Sequence, residues 1–301
     1  MVLPVVRVSL SRVVVVLTAM WAAAAPRNAV AQSFTAIDVP GASETRAHGI
    51  NDQGEIVGFY KIGINDPFHG YLRTAQGGFS TIDFPGARET RVQAINAPGD
   101  IVGDYSDSNG ATHGFLRKKT DGSFTTIDGP GADLTVAFVI NNVGEIGGGY
   151  RASGLFHGFL LMADGTFVTV DFPGAFWTIG AGISDRGDIG GTYIDTGSAE
   201  HGFFRSFRDG VFTTVDFPGA VGTEVHDGND RGQIVGPYCP FNSCLLPGEI
   251  HGFVRLMNGT FTTIDFPGAI GTGASSINNS DRIVGDYFKP DFTRHGFLRT
   301  P

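Results

Sequence analysis

Six near-copies of one unit occupy the 301-residue chain from residue 33 to its end, and this tandem repeat constrains the fold more than any other feature. The phrase Ile/Val-Asp-x-Pro-Gly-Ala recurs with its aspartates at Asp38, Asp83, Asp128, Asp171, Asp216 and Asp265, spaced 45, 45, 43, 45 and 49 residues apart. A His-Gly step recurs at His69, His113, His157, His201, His251 and His295. A Gly-x-Tyr step ends at Tyr60, Tyr105, Tyr150, Tyr193, Tyr238 and Tyr287, and a threonine stands four residues after each Pro-Gly glycine, from Thr45 to Thr272. Each unit is too short to bury a core alone, so neighbouring units must cover one another.

Each unit reads as four short strands separated by turn residues. In the first, strand A is expected over 45–51, B over 55–60, C over 69–73 and D over 79–84. Asn51-Asp52-Gln53-Gly54 turns A into B, and Pro85-Gly86 turns D into the next unit, with Pro presetting φ and Gly supplying a positive φ. No amphipathic helical period follows residue 31. Four strands, about 45 residues and six copies predict an all-β six-bladed β-propeller of four-stranded blades; a parallel β-helix is the competing geometry. The repeat begins with a D strand (34–38) and ends with a C strand (295–299). The N-terminal strand is therefore expected to complete the last blade and bring Asp38 beside His295, which leaves no open sheet edge.

Residues 1–31 read as a secretory signal peptide: Arg7 and Arg12, an apolar run over 13–25, and Ala29-Val30-Ala31 ahead of Gln32. The run is shorter than the ~20 residues of a membrane span. Residues 32–301 are then one exported six-repeat domain, extracellular or periplasmic and without a membrane anchor. Removal of the signal leaves 18 basic against 30 acidic residues, which argues against nucleic acid as a partner. Forty-five glycines and 15 prolines suit a chain rich in turns.

The units Ile-Asn-x-x-Gly-x-Ile-Val-Gly-x-Tyr, His-Gly-Phe-Leu-Arg and Phe-Thr-Thr-Ile-Asp-Phe-Pro-Gly-Ala resemble the bacterial "HAF" extracellular repeats over essentially all of residues 33–300. This chain carries Gly in the middle of the His-Ala-Phe step in all six copies. Ser184 replaces the usual Asn in the fourth unit, and Gly228 the usual Ile in the fifth. The resemblance implies an exported protein and brings no catalytic residues.

Repeated and unrepeated residues have different expected uses. Each His opens strand C and each Asp closes strand D, so His69/Asp83, His113/Asp128, His157/Asp171, His201/Asp216, His251/Asp265 and His295/Asp38 are expected as buried structural hydrogen bonds. Six equivalent pairs at large radius cannot converge on one substrate. The glycine of Gly-x-Tyr suggests a bulge or close backbone approach, and Phe84, Phe172, Phe217 and Phe266 suggest wedges between blades. The columns one and three residues after the threonine vary freely: Arg46, Arg91, Val136, Ile179, Glu224, Gly273, and His48, Gln93, Phe138, Ala181, His226, Ser275. On an innermost strand A they would line the channel. Arg46, His48, Arg91, Glu224 and His226 are the candidate ligand contacts, the arginine pair suiting a carboxylate or sugar acid. Trp177, expected in the D-to-A loop, is a candidate stacking surface. Cys239 and Cys244 sit in the longest B-to-C loop and are expected to form a disulfide.

No nucleophile elbow, zinc-protease helix, phosphate loop or calcium loop is written in the chain. The expectation is a monomeric binding or scaffolding module for a protein or glycan, with no metal site or cofactor. A hydrolase or lyase with a polar site at the channel mouth is the alternative.

Overall fold

A computed structural model describes residues 32–241 and 247–301; the signal-peptide reading (1–31) and Cys244 lie outside the described residues. The described chain is all-β, and its one helical element is the single 3-10 turn Pro247–Glu249. Within each repeat the strands pair antiparallel in the order A-B-C-D. In unit 1 these are Glu44–Ile50, Ile56–Lys61, His69–Arg73 and Phe79–Ile82. Strands A and B lie one residue away from their expected bounds, and D stops at Ile82, ahead of the turn. In unit 6 the strands are Gly271–Ile277, Ile283–Phe288 and Arg294–Thr300, and the fourth is Ser33–Ile37 from the other end of the chain. It pairs antiparallel with Phe34 opposite Arg299 and Ile37 opposite Gly296.

The repeated residues account for the shape of each sheet. Strand A carries a one-residue register shift, between Ala47 and Gly49 in unit 1 and at the equivalent place in units 2, 3, 4 and 6. The extra residue is His48, Gln93, Phe138, Ala181 or Ser275. In unit 5 strand A is interrupted instead, as Gly222–Thr223 and Asp227–Gly228, with His226 in the gap. Opposite the bulge, strand B presses its backbone against the carbonyl of strand A: a Cβ built on Gly58 would lie 1.9 Å from the Arg46 oxygen, and one on Gly285 2.0 Å from that of Gly273. Only glycine fits there, which explains that column.

The threonine column closes the Pro-Gly turn. Each hydroxyl accepts the backbone N–H of the residue after the turn's aspartate, from Val39 to Thr45 (3.1 Å) through Phe266 to Thr272 (3.0 Å). These threonines are at most 1% exposed, so each bond removes a buried unsatisfied donor at a site where its loss costs about 1–3 kcal/mol. The Phe wedges stack face to face on the next unit's tyrosine: Phe84 on Tyr105 at 3.7 Å, Phe172 on Tyr193 at 3.7 Å, Phe217 on Tyr238 at 3.6 Å and Phe266 on Tyr287 at 3.7 Å. Behind them the strand C aromatics, Tyr71, Phe115, Phe159, Phe203, Phe253 and Phe297, are almost completely buried.

The A–B hairpins are tied to one another through asparagine. Asn51 accepts the Glu55 N–H within its own hairpin (2.9 Å) and donates its amide to the Asn96 carbonyl of unit 2 (3.2 Å). Asn96 reaches the Asn141 carbonyl, Asn141 that of Ser184, Asn229 that of Asn278, and Asn278 that of Asn51, at 3.0–3.1 Å. A cavity of about 80 Å³ at this end is lined by hairpin residues of all six repeats, among them Asn51, Asn96, Asn141, Asp185, Asn229 and Asn278.

Removing residues 32–38 strips the fourth strand from unit 6 together with the Asp38 carboxylate. Thermal denaturation of the truncated protein is expected to show a single transition at clearly lower temperature, because the exposed edge borders both terminal units. A melting curve superimposable on that of the intact chain would show that this strand contributes nothing to the stability of the unit 6 sheet.

Candidate functional site

The strand A bulge turns its extra residue toward a group of charged side chains drawn from several repeats. In unit 1, Glu44 holds Arg46 at 2.6 Å and Lys61 at 3.0 Å. In unit 2, Glu89 holds Arg91 at 2.5 Å, and Asp104 lies 3.6 Å from Arg91 and accepts the Gln93 amide at 2.8 Å. In unit 5, Glu224 bonds His226 at 2.7 Å. In unit 6, Asp286 is paired with Arg294. The ring of Phe68 collects three cations, Arg46, Lys61 and Arg91, each 5.2–5.4 Å from its centroid.

These pairs act on one another. Arg46 lies in the fields of Arg294 and Asp286, and His48 in those of Asp286, Arg46, Arg294 and His226. The two halves of the candidate set, Arg46/His48 and Glu224/His226, therefore meet electrostatically. The arginine pair does not wait for an external carboxylate, however. Both guanidiniums are already held by a glutamate two residues upstream, on the same side of the strand.

Burial decides most of the titration behaviour. It pushes His48 down to about 3, so this imidazole is neutral at neutral pH. Its Nε2 is buried with no hydrogen-bond partner, an uncompensated polar atom of the kind that native sites keep for a ligand or water. Burial raises Asp104 to about 6 against the opposing Gln93 bond and Arg91 charge. For Glu200, burial and then the charge of Glu224 raise the pKa. Glu224 itself is lowered, since the bond and charge of His226 outweigh its burial, and His226 is correspondingly raised against its own burial penalty.

Sequence reasoning missed Glu44, Lys61, Phe68, Glu89, Asp104, Glu200, Asp286 and Arg294. Two overlooked columns carry five of them. The middle residue of Gly-x-Tyr is Phe59, Asp104, Gly149, Thr192, Pro237 or Asp286. The residue before the repeated histidine is Phe68, Thr112, Phe156, Glu200, Ile250 or Arg294. Both vary as freely as the two columns on strand A. In units 3 and 4 these columns turn largely apolar: Val136, Phe138, Phe156 and Ile179 are half-buried. Trp177 opens strand A of unit 4 instead of lying in the preceding loop, and it meets Phe156 edge-on at 5.6 Å.

The six histidine–aspartate pairs form at 2.7–2.9 Å, including His295 with Asp38 across 257 residues. They are not buried. The aspartate side chains are 42–50% exposed, because strand D pairs only with strand C and the turn that follows it faces water. Each pair is therefore worth about 0.2–1 kcal/mol, well short of a buried charge-assisted bond. Each histidine also packs on its unit's tyrosine, with ring centroids 5.0–5.7 Å apart. Cys239 is buried at the end of strand B of unit 5. Among the described residues no group of three His, Cys, Asp or Glu is placed to hold a metal ion, and no helix is long and apolar enough to cross a membrane.

No family model and no curated protein matches the chain. Solved structures do. A TolB-like protein of Agrobacterium tumefaciens superposes with a TM-score of 0.62 at 12% identity, over 89% of this chain and 96% of that one. The fungal lectin of Aleuria aurantia, described as a six-bladed β-propeller with a novel mode of fucose recognition, superposes at 0.52 and 10% identity over 88% and 93%. TolB of Acinetobacter baumannii does so at 0.52 and 11% identity over 86% and 64%. At such identities the likeness is one of fold, and the fold is of the β-propeller kind.

The His48 pKa shift has a defined sign. Below about 6.5 the unfolded chain protonates this histidine while the folded one does not until about 3, so stability falls as pH falls through that window. Chemical denaturation of the wild type between pH 6 and 4 should lose stability more steeply than His48→Gln, by up to about 1.4 kcal/mol per pH unit for one proton. Parallel profiles would mean that His48 is hydrated in the folded protein. Asp104 opposes this trend in both proteins and cancels from the comparison.

Proposed function

We propose that the chain is an exported, closed six-bladed β-propeller of the HAF-repeat kind that binds carbohydrate at the mouth of its central channel. Closure is supported by the pairing of Ser33–Ile37 with Arg294–Thr300 and by the asparagine links that return from Asn278 to Asn51. Export rests on the signal reading of residues 1–31, and in an oxidising compartment Cys239 and Cys244 would close their loop as a disulfide.

One observation carries the ligand class: the four variable columns include charged residues in units 1, 2, 5 and 6, whereas units 3 and 4 hold apolar residues or glycine there apart from Thr192 and Glu200. A sugar presents hydroxyls, which donate and accept at once, and an apolar C–H face. Paired carboxylates and guanidiniums such as Glu44/Arg46, Glu89/Arg91 and Asp286/Arg294 meet the first. Trp177 and Phe156 offer the second a stacking surface. Internally paired charges favour a neutral glycan over the sugar acid that the arginines alone suggested. The likeness to a fucose-recognising lectin supports the same class.

Glu200, raised, beside Glu224, lowered, supports a second reading. Two carboxylates in one another's field with diverging pKa values are the groups an acid–base glycoside hydrolysis uses, and on this second reading the bound glycan is cleaved.

Purified residues 32–301 should bind members of a neutral-glycan array, and both Trp177→Ala and Arg46→Ala should weaken the best ligand about tenfold or more. Binding unaffected by either substitution would remove the channel mouth as the site. Release of reducing ends from that ligand by the wild type, lost in Glu224→Gln, would establish the hydrolytic reading; its absence would leave a lectin.

A further inference from the structure

Junctions between successive units share two devices on the hairpin side. The first is the asparagine amide that reaches the next unit's carbonyl. The second is the isoleucine ending strand A, which shares an apolar cluster with residues of the unit before it: Ile50 with Val284 and Leu298, Ile95 with Val57 and Leu72, Ile140 with Val102 and Leu116, Ile183 with Leu160, and Ile277 with Val235 and Val254. Between units 4 and 5 both are missing. Ser184 stands in for asparagine. Its one side-chain oxygen still accepts the Asp188 N–H of its own hairpin (3.2 Å) and donates to the Asp188 carboxylate (3.2 Å), and it has no amide to reach unit 5. Gly228 stands in for isoleucine. Its φ lies outside the left-handed region, and a Cβ built there would meet only its own hairpin, Gln233 O at 3.2 Å and Ile234 Cγ1 at 3.9 Å. The backbone does not demand glycine at this position.

A cleft of about 460 Å³ opens where these two devices are lost, within the 300–1,000 Å³ usual for small-molecule sites. Phe204, Val215, Val225, Ile234 and Met257 supply its apolar walls, and Arg186, Arg231 and Arg255 also line it. The aspartates in the lining already have donors. Asp227 accepts the Ser276 hydroxyl at 2.6 Å, the Gly228 N–H at 2.8 Å and the Ile277 N–H at 3.1 Å. Asp188 accepts the Phe207 N–H at 3.0 Å in addition to Ser184, and Asp230 accepts the Asn279 amide at 2.9 Å. Arg231 is paired with Asp281 at 2.8 Å. Among the described residues Arg186 and Arg255 have no ion pair, and Arg255 rests instead on the ring of Phe261. Arg186 and Arg231 occupy the same place in the A–B turns of units 4 and 5, where units 1, 2, 3 and 6 have Gln53, Pro98, Val143 and Ser280.

The geometry points to this cleft as a second binding site, for a small monocarboxylate with an apolar body such as an aryl or branched alkyl acid. The apolar body occupies the space of the missing Ile side chain, and the carboxylate meets the unpaired guanidiniums. This site is separate from the channel mouth and does not depend on the carbohydrate reading.

A ¹⁹F NMR titration of residues 32–301 with 4-fluorophenylacetate tests it, with the neutral 4-fluorophenylacetamide alongside. Saturable binding of the acid, weaker by about tenfold or more for the amide, is expected. Gly228→Ile rebuilds the common junction and should abolish that binding while leaving the melting temperature equal or higher. Arg186→Glu, on an exposed turn where folding is not at risk, should weaken the acid by a similar factor and leave the amide unchanged. Trp177→Ala should bind the probe like the wild type, and Gly228→Ile should keep any glycan response, so the two sites fail independently. No binding of the acid, equal binding of acid and amide, or an affinity untouched by both Gly228→Ile and Arg186→Glu would overturn the proposal.

Discussion

The side-chain amide of an asparagine, donated to the carbonyl of the same asparagine one repeat further on, is the interaction on which the arrangement of units depends. Its oxygen closes its own A–B hairpin and its nitrogen grips the next, so local turn geometry and the placement of the neighbour are fixed by one residue. No other side chain of that size offers an acceptor and a donor in this geometry. Aspartate lacks the donor and serine is too short. The consequence is visible at Ser184, where the hairpin survives and the link to unit 5 does not.

Repeat columns divide into those that build the sheets and those that are free to serve a ligand. Glycine in strand B, threonine after the Pro-Gly turn and the strand C aromatics are set by contacts under 3.2 Å or by complete burial, and in such places one exchanged atom is felt. The bulge on strand A releases a neighbouring set of positions. Because the extra residue has no partner in the ladder, its side chain can be Ala, Ser, Gln, Phe or His without cost to pairing. Chemistry accumulates there and at the matching break in unit 5: neutral His48 with its unpartnered nitrogen, Gln93 on Asp104, and His226 on Glu224.

The histidine–aspartate pairs illustrate how strict repetition can mislead about energy. Their six-fold recurrence suggests a buried bond, yet they sit where the outer strand ends in water. Their steadier contribution is orientation, since each imidazole is held between its aspartate and the tyrosine on the adjoining strand. The arginine pair misleads in the opposite sense. Arg46 and Arg91 read as free cations in the sequence because their partners, Glu44 and Glu89, lie two residues away, a spacing that places both side chains on one side of a strand.

The sequence alone determined the number and order of strands in each unit, the glycine and proline turns, the four aromatic wedges and the pairing of the first strand with the last. All of these follow from local stereochemistry repeated six times. It also singled out Arg46, His48, Glu224 and His226, because departures from a repeat stand out without coordinates. Only the tertiary structure decided which charges satisfy one another, how far the histidine pairs are exposed, and that Ser184 and Gly228 open the same junction. Those outcomes depend on side-chain direction and burial, and at the unit 4–5 junction on contacts between residues of different repeats. In a repeat protein every unit has nearly the same local code, so the differences acquire meaning only when neighbouring units are placed side by side.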